Sequence, residues 1–195
     1  MDTGIIILAA GGSSRLGRPK QLLVYKHKTL LQHVIDEAKL AGLFPIIIVV
    51  GANADELTKT LNLSGVDMII NDSWESGMSS SIATGLASLA GDKPQNMIIS
   101  VCDQPQIHAQ LFSDLLRMKN KTGSGIVASA YAGTLGTPVL FNEKYYDMLL
   151  NLKGNEGAKK LLNLHENDVS YIQFEDGQID IDTEEDYLNL QKKQL

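Results

Sequence analysis

A chain of 195 residues has the length of one folded domain, and a single domain over residues 1–195 is expected. Hydrophobic residues make up 44% and charged residues 21%, which excludes a disordered, collagenous or coiled-coil chain. Seventeen basic against 23 acidic residues leave a net charge of −6, which argues against a nucleic-acid binder that needs a basic face. The one cysteine, Cys102, excludes an internal disulfide and a Cys-based zinc cluster. With no signal-peptide pattern it fits a reducing cytoplasm. The longest apolar runs, residues 5–10 and 45–50, have six residues each, against the ~20 that a membrane span needs.

In chain order, residues 4–8 (GIIIL) are apolar without alternation, as in a strand buried on both faces. Thr29 can cap a helix carrying Leu30, Leu31, Val34, Ile35 and Ala38, and Gly42 can end it. Residues 46–50 (IIIVV) read as a second buried strand. Asn53 with Glu56 makes a capping-box-like start to a helix ending near Leu61. Residues 66–70 and 97–101 read as two more buried strands. Met78, Ile82, Leu86 and Leu89 mark one helix, and Leu111, Leu115 and Met118 another. Beyond Gly125 the pattern loosens: residues 125–131, 138–141 and 169–174 suggest strands, and 145–150, 157–162 and 184–190 suggest helices. The expected fold is α/β and Rossmann-like. It has three layers, a mostly parallel sheet with helices on both faces, and a mixed C-terminal half. Ligands of such sheets bind beyond the carboxyl ends of the strands, so function belongs to the loops after Leu8, Val50, Ile70 and Val101.

The first of those loops is glycine-rich and cationic. Gly11 and Gly12 leave no side chain in a ligand's way, and successive backbone N–H groups can form an anion-binding concavity. Arg15, Arg18 and Lys20 add three cations within six residues. These features suit a polyphosphate; a flexible turn with solvated charges is the alternative. The loop is not a Walker A, because Arg18 and Pro19 stand where Lys and Ser/Thr are required.

Residues 8–20 (LAAGGSSRLGRPK) resemble the signature of sugar-nucleotide-type nucleotidyltransferases. Among these they are most similar to the molybdenum-cofactor cytidylyltransferases, whose loop reads L-A-A-G-x-S-x-R-M-G-x-x-K. Leu16 replaces the usual Met. The resemblance implies an NTP substrate, Mg2+ and release of pyrophosphate. It implies that Gly11, Gly12, Ser13 and Ser14 wrap the triphosphate and base side through their backbone, with Leu8, Ala9 and Ala10 leading into them. Arg15 and Lys20 then neutralise the phosphates. Ala10 stands where guanylyltransferase relatives have a second Gly, which implies cytosine as the base.

Two acidic motifs complete the resemblance. Asp103 in Asp103-Gln104-Pro105 closes the fourth strand, where a carboxylate faces the site as a hard oxygen ligand; a turn Asp capping the next helix is the alternative. The resembling family holds the metal with this Asp. Residues 179–187 (IDIDTEEDY) match its D-I-D-T-P-E-D-Y, with Glu184 replacing the Pro. Asp180 and Asp182 share one side of a strand; Asp182 is taken as the second metal ligand, with Asp180 as the competitor. Thr183 and Asp186 form a capping-box-like helix start.

The segment 74–82 (WESGMSSSI) resembles the family's W-x-x-G-M-x-x-S stretch, which implies base or ribose contacts for Ser79 and Ser80; a plain helix start is the alternative. Gly51 and Asn53 either help close over the base or only cap a helix. Residues 135–141 and 152–162 match segments that approach a pterin in the family, with Asn155 replacing its Asp. His27, His33, His108 and His165 form no ligand spacing and read as surface or capping residues, and Cys102 as a buried inert thiol.

The implied activity is transfer of CMP from CTP to the terminal phosphate of molybdopterin, with Arg15, Lys20 and Asp103 catalytic and Mg2+ held by Asp103 and Asp182. A molybdenum hydroxylase is the implied client, and neither nucleic acid nor membrane is expected as a partner. The alternatives are a guanylyltransferase, a cytidylyltransferase for a sugar acid or methylerythritol phosphate, and a non-catalytic cofactor carrier.

Overall fold

The computed structural model describes residues 3–89, 91, 93–154 and 157–192. The elements run β1 (Thr3–Ala9), the hairpin β2 (Val24–Tyr25) and β3 (Lys28–Thr29), α1 (Leu30–Leu40), β4 (Ile46–Val50), α2 (Ala54–Thr60), β5 (Asp67–Ile70), α3 (Met78–Ala87), β6 (Asn96–Val101) and α4 (Ala109–Thr122). They continue with β7 (Ile126–Tyr131), β8 (Thr134–Asn142), α5 (Tyr146–Leu150), α6 (Lys159–Leu164), β9 (Val169–Gln173) and α7 (Glu184–Lys192). Seven strands form one sheet in the order β5-β4-β1-β6-β8-β7-β9. Its pairs are parallel except at β8, which runs antiparallel to both β6 and β7.

Why the early strands are apolar throughout is visible in the two cores. Ile5, Ile7, Ile46 and Ile48 face one helix layer, where Leu31, Val34, Leu57, Leu111 and Phe112 come from α1, α2 and α4. Ile6, Leu8, Ile47 and Val49 face the other, against Ile82 and Leu86 of α3, Leu149 of α5 and Leu161 of α6. Each fully buried Ile or Leu contributes about 1.5–3 kcal/mol of hydrophobic stabilisation. A third, smaller core joins Leu16, Tyr25 and Leu30 to Ile181, Tyr187 and Leu190 of the C-terminal segment. It packs the glycine-rich loop and its hairpin against α7.

Some helix ends carry the cap their sequence offers, and one expected cap does not form. Thr29 caps α1 by accepting from the Gln32 N–H at 3.1 Å. Gly42, at φ 71°, ends it in a Schellman turn, with Leu43 N–H on Ala38 O and Gly42 N–H on Lys39 O. His108 caps α4 through Nδ1. Asn53 does not act as the cap expected of it. At φ −118° and ψ 26° it lacks the extended backbone that aims a side chain at the next turn, and it makes no capping bond.

Three further expectations change. Residues 66–70 read as a strand covered on both faces, but β5 is the sheet edge and Ile70 is 54% exposed. The run at 138–141 is the buried half of a longer strand, β8. Its first half pairs with β7 across a register shift between Val127 and Ser129, a place where a strand tolerates Pro138. His33, expected at the surface or in a cap, packs edge-on to Tyr25 with Nε2 2.8 Å from Ile107 O.

Candidate active site

The sheet changes direction between β1 and β6: β4 and β5 extend from one side of β1, and β6 begins the other. A doubly wound sheet opens a crevice at this point, beyond the carboxyl ends of the two central strands. The glycine-rich loop leaves β1 here, and Asp103 follows β6. Between them lies a cavity of about 380 Å³, bounded by Ala9, Ala10, Lys20, Trp74, Met78 and Asp103. Leu8, Gly11, Gln21 and Ser81 complete its near wall.

Charge gathers on its floor. Lys20 Nζ donates to Asp103 Oδ2 at 2.7 Å and to Asp182 Oδ1 at 2.6 Å. Arg15 Nη2 donates to the other oxygen of Asp182 at 2.7 Å. Partial burial would lower the Lys20 pKa, but the two carboxylates outweigh it and hold the ammonium above the ordinary lysine range. The Asp182 carboxyl is held below its ordinary value, first by its hydrogen bond from Lys20. Asp180 remains outside the Lys20 bridge. Desolvation, with the charges of Asp103 and Asp182, pushes its carboxyl up to about 6. Burial pushes the Cys102 thiol up to about 12, as suits an inert core residue.

Two local devices bring carboxylates 79 positions apart to one ammonium. The Ile181 N–H donates to the carbonyl of Asp103 at 2.9 Å, stitching the C-terminal segment to the end of β6. Asp186 then accepts from the backbone N–H groups of Asp182 and Thr183 and from the Thr183 hydroxyl, while its own N–H donates to Thr183 Oγ1. This reciprocal cap orders the turn that presents Asp182. In the loop, Ser13 takes a positive φ of 51°, and its Oγ accepts from the Lys20 N–H at 3.0 Å.

Other expected residues sit elsewhere. Arg18 turns away from the carboxylate pair: it donates to both oxygens of Glu184 at 2.7 and 2.8 Å and lies 5.2 Å over the Tyr187 ring. The Glu184 that departs from the family motif thus tethers the loop to α7. Ser79 and Ser80 spend their hydroxyls on the protein. Ser79 donates to Gly154 O, and Ser80 donates to Gly77 O while accepting from Asn71. The serine on the cavity wall is Ser81. Gly51 is a packing position, since a Cβ there would lie 2.6 Å from Ala10 O and 2.7 Å from Trp74 Cγ. Trp74 also covers Gly12, whose Cβ position is 3.0 Å from the indole. Gly11 and Ser14 are exposed on the loop. Asn155 and Glu156 lie outside the described residues.

A second cavity, of about 870 Å³, opens at the same end of the sheet, beyond β7 and β9. Tyr131, Leu135, Lys159, Leu162, Tyr171 and Gln178 help line it, so parts of segments 135–141 and 152–162 do reach a cavity. Tyr131 joins the two: its hydroxyl accepts from Gln104 Nε2 at 3.4 Å, one residue beyond Asp103.

Residues 5–169 match the model of the MobA-like NTP transferase domain. The chain belongs to that family. It is a nucleotidyltransferase of the MobA-like superfamily, with the α/β fold of its structural neighbours. It is 24% identical over 191 residues to the molybdenum cofactor cytidylyltransferase of Escherichia coli strain K12, covering 96% of this chain and 95% of that one. It is 33% identical over 134 residues to nicotine blue oxidoreductase of Paenarthrobacter nicotinovorans, covering 68% of this chain. The chain spans only 63% of that relative's length. Rv0371c of Mycobacterium tuberculosis H37Rv superposes with a TM-score of 0.86 at 28% identity, over 98% of each chain. Its structure in complex with manganese gives 0.81 at 26% identity, over 98% of this chain and 99% of that one.

The MobA-like site offers two carboxylates, Asp103 and Asp182, to a divalent cation. Among the described residues no group of three or more His, Cys, Asp or Glu could hold a metal. Asp103 and Asp182 do converge on one cation, the Lys20 ammonium. Magnesium is commonly held by one or two carboxylates, with phosphate and water oxygens completing its shell. The donor set fits that pattern. No helix among the described residues is long and apolar enough to cross a membrane.

Proposed function

We propose that this protein transfers CMP from CTP to the terminal phosphate of a molybdopterin-type acceptor and releases pyrophosphate. We read it as a single domain acting in the cytoplasm for a molybdenum hydroxylase client. One observation carries the reading. Arg15, Lys20, Asp103 and Asp182 form a single charge cluster, with Lys20 and Asp103 on the wall of the cavity beneath the glycine-rich loop. A cytidine base is supported by Ala10, which lines that cavity beside Trp74 where a second Gly would leave more room for a purine. The acceptor is assigned to the larger cavity, whose Tyr131 and Tyr171 offer aromatic surface to a planar heterocycle.

The roles follow from charge and position. Backbone N–H groups of residues 11–14 cradle the triphosphate. Lys20 and Arg15 move from their carboxylates to the phosphates and stabilise charge growing on the departing pyrophosphate. Asp103 and Asp182 would hold Mg2+, which would supply positive charge to offset that of the phosphates. An oxygen of the acceptor phosphate attacks the α-phosphorus as its bond to the pyrophosphate oxygen breaks. Positioning supplies the rest, and no covalent enzyme intermediate is required.

The 33% identity to nicotine blue oxidoreductase favours a second reading, an oxidoreductase acting on nicotine blue. Pyrophosphate release from CTP, GTP and ATP, with Mg2+ and with or without molybdopterin, separates these readings. Acceptor-dependent release from CTP alone supports the proposal. Release from GTP moves the chain to guanylyl transfer. No release from any nucleotide, with turnover of nicotine blue, establishes the second reading.

A further inference from the structure

One side chain on the nucleotide cavity is buried, polar and unused by the mechanism above. Gln21 follows Lys20 in the short 3-10 turn Lys20–Leu22 and is 2% exposed. Its Nε2 donates to two loop carbonyls at once, Ala9 O at 2.7 Å and Gly11 O at 3.0 Å. Its Oε1 is buried and has no hydrogen-bond partner. Reversing the amide would set an oxygen against two carbonyl oxygens, so the chemistry fixes the orientation.

The arrangement governs where the loop peptides point. In a trans peptide the carbonyl and the following N–H point in opposite directions. With Ala9 O and Gly11 O drawn toward Gln21, the N–H groups of Ala10 and Gly12 point away from it. An anion cradle needs those N–H groups turned outward and the carbonyls hidden from phosphate. The bare Oε1 is what remains after both amide hydrogens are given to the loop. A buried acceptor left unpaired is uncommon, and here it accompanies an amide whose hydrogens both go to the loop backbone.

We propose that Gln21 is a positioning residue for the nucleotide, its carboxamide holding the Ala9 and Gly11 carbonyls away from the bound phosphates. This inference rests on the nucleotide-site reading of the cavity. The test uses Gln21→Met, which keeps the volume and removes both donors, and Gln21→Glu, which replaces donors by a charged acceptor. Calorimetry measures CTP and inorganic pyrophosphate binding, steady-state kinetics gives KM for nucleotide and acceptor separately, and thermal melting reports folding. Gln21→Met is expected to weaken CTP and pyrophosphate binding about tenfold, for the loss of two hydrogen bonds. Acceptor KM should stay within about twofold, and Gln21→Glu should be weaker than Gln21→Met in both anion assays. Wild-type binding that survives unchanged in Gln21→Met overturns the inference alone. So does a parallel rise in both KM values with a large fall in Tm, which marks a structural residue. A wild-type protein that binds neither CTP nor pyrophosphate overturns the site reading and this inference with it.

Discussion

Gly51→Ala puts the packing around the glycine-rich loop to a quantitative test. The new Cβ would stand 2.6 Å from Ala10 O and 2.7 Å from Trp74 Cγ, where ordinary contact begins at 3.4 Å. Both neighbours must therefore give, by a combined displacement of about 0.7–0.8 Å at each contact. Ala10 O is backbone at the mouth of the loop, and the indole is a rigid bicycle already lying on Gly12. Neither is the free end of a flexible chain. Overpacking of this kind costs about 1–3 kcal/mol, or roughly 2–12 °C in Tm for a chain of this size. Trp74 is the only tryptophan, so its emission reports the site directly. Urea titration followed by that emission gives the stability loss, and the native baseline gives the change around the ring. Nucleotide KM should rise at least threefold, because the displaced groups bound the cavity. A loss under about 0.5 kcal/mol with an unshifted emission maximum and unchanged KM would refute the packing argument.

Other expectations follow from the ion pairs. Lys20→Ala should lower kcat/KM by about 2–4 kcal/mol, roughly 30- to 900-fold, as for other preorganised charge contacts; wild-type kinetics would remove Lys20 from the phosphate role. Lys20→Met should raise the affinity of the nucleotide-free protein for Mn2+, read by EPR, since the ammonium competes for Asp103 and Asp182; weaker Mn2+ binding would contradict the shared position. Asp168 shows a pH effect outside the lining of the nucleotide cavity. Desolvation opposes its ionisation, but hydrogen bonds from Lys144, Tyr145 and the Gly125 N–H prevail and hold its carboxyl at about 2 against an ordinary 3.8. A depressed carboxyl stabilises the fold fully above its unfolded value and loses that contribution as pH falls through the folded one. With partial exposure discounted, Asp168→Asn should cost about 1–2 kcal/mol at pH 7. That difference should shrink between pH 4 and pH 2, and equal stability of the two proteins at pH 7 would overturn the assignment.

Much of the fold is legible because both faces of the early strands are covered. Runs such as residues 46–50 have nowhere polar to point, and the period of α1 announces its one buried face. The crevice is legible for a related reason: strand order confines ligands to loops that a reader can count. Edges are harder. β5 carries an apolar run like its neighbours, yet it is covered only in part, and no local pattern distinguishes an edge strand from a central one. Within the site, position is more legible than orientation. Asp103 and Asp182 do converge on Lys20, but three cations within six residues give no hint that Arg18 leaves for Glu184. Nor does a serine-rich helix start reveal which hydroxyl the protein itself consumes. Gln21 carries only a faint signal, an amide beside the loop's lysine, and its meaning depends on two carbonyls that curl back from residues 9 and 11.

The pairing of Lys20 and Arg15 with Asp103 and Asp182 gives the pocket its own counter-ions. Taking up a metal polyphosphate is then an exchange of partners, as on the beads of a resin. Phosphate displaces carboxylate from the basic groups, and magnesium displaces ammonium from the acidic ones. Nearly as many charges are matched afterwards as before, so few free salt ions are set loose. Such a pocket should respond weakly to the ionic strength of the medium and steeply to free magnesium, and metal and nucleotide should each draw the other in.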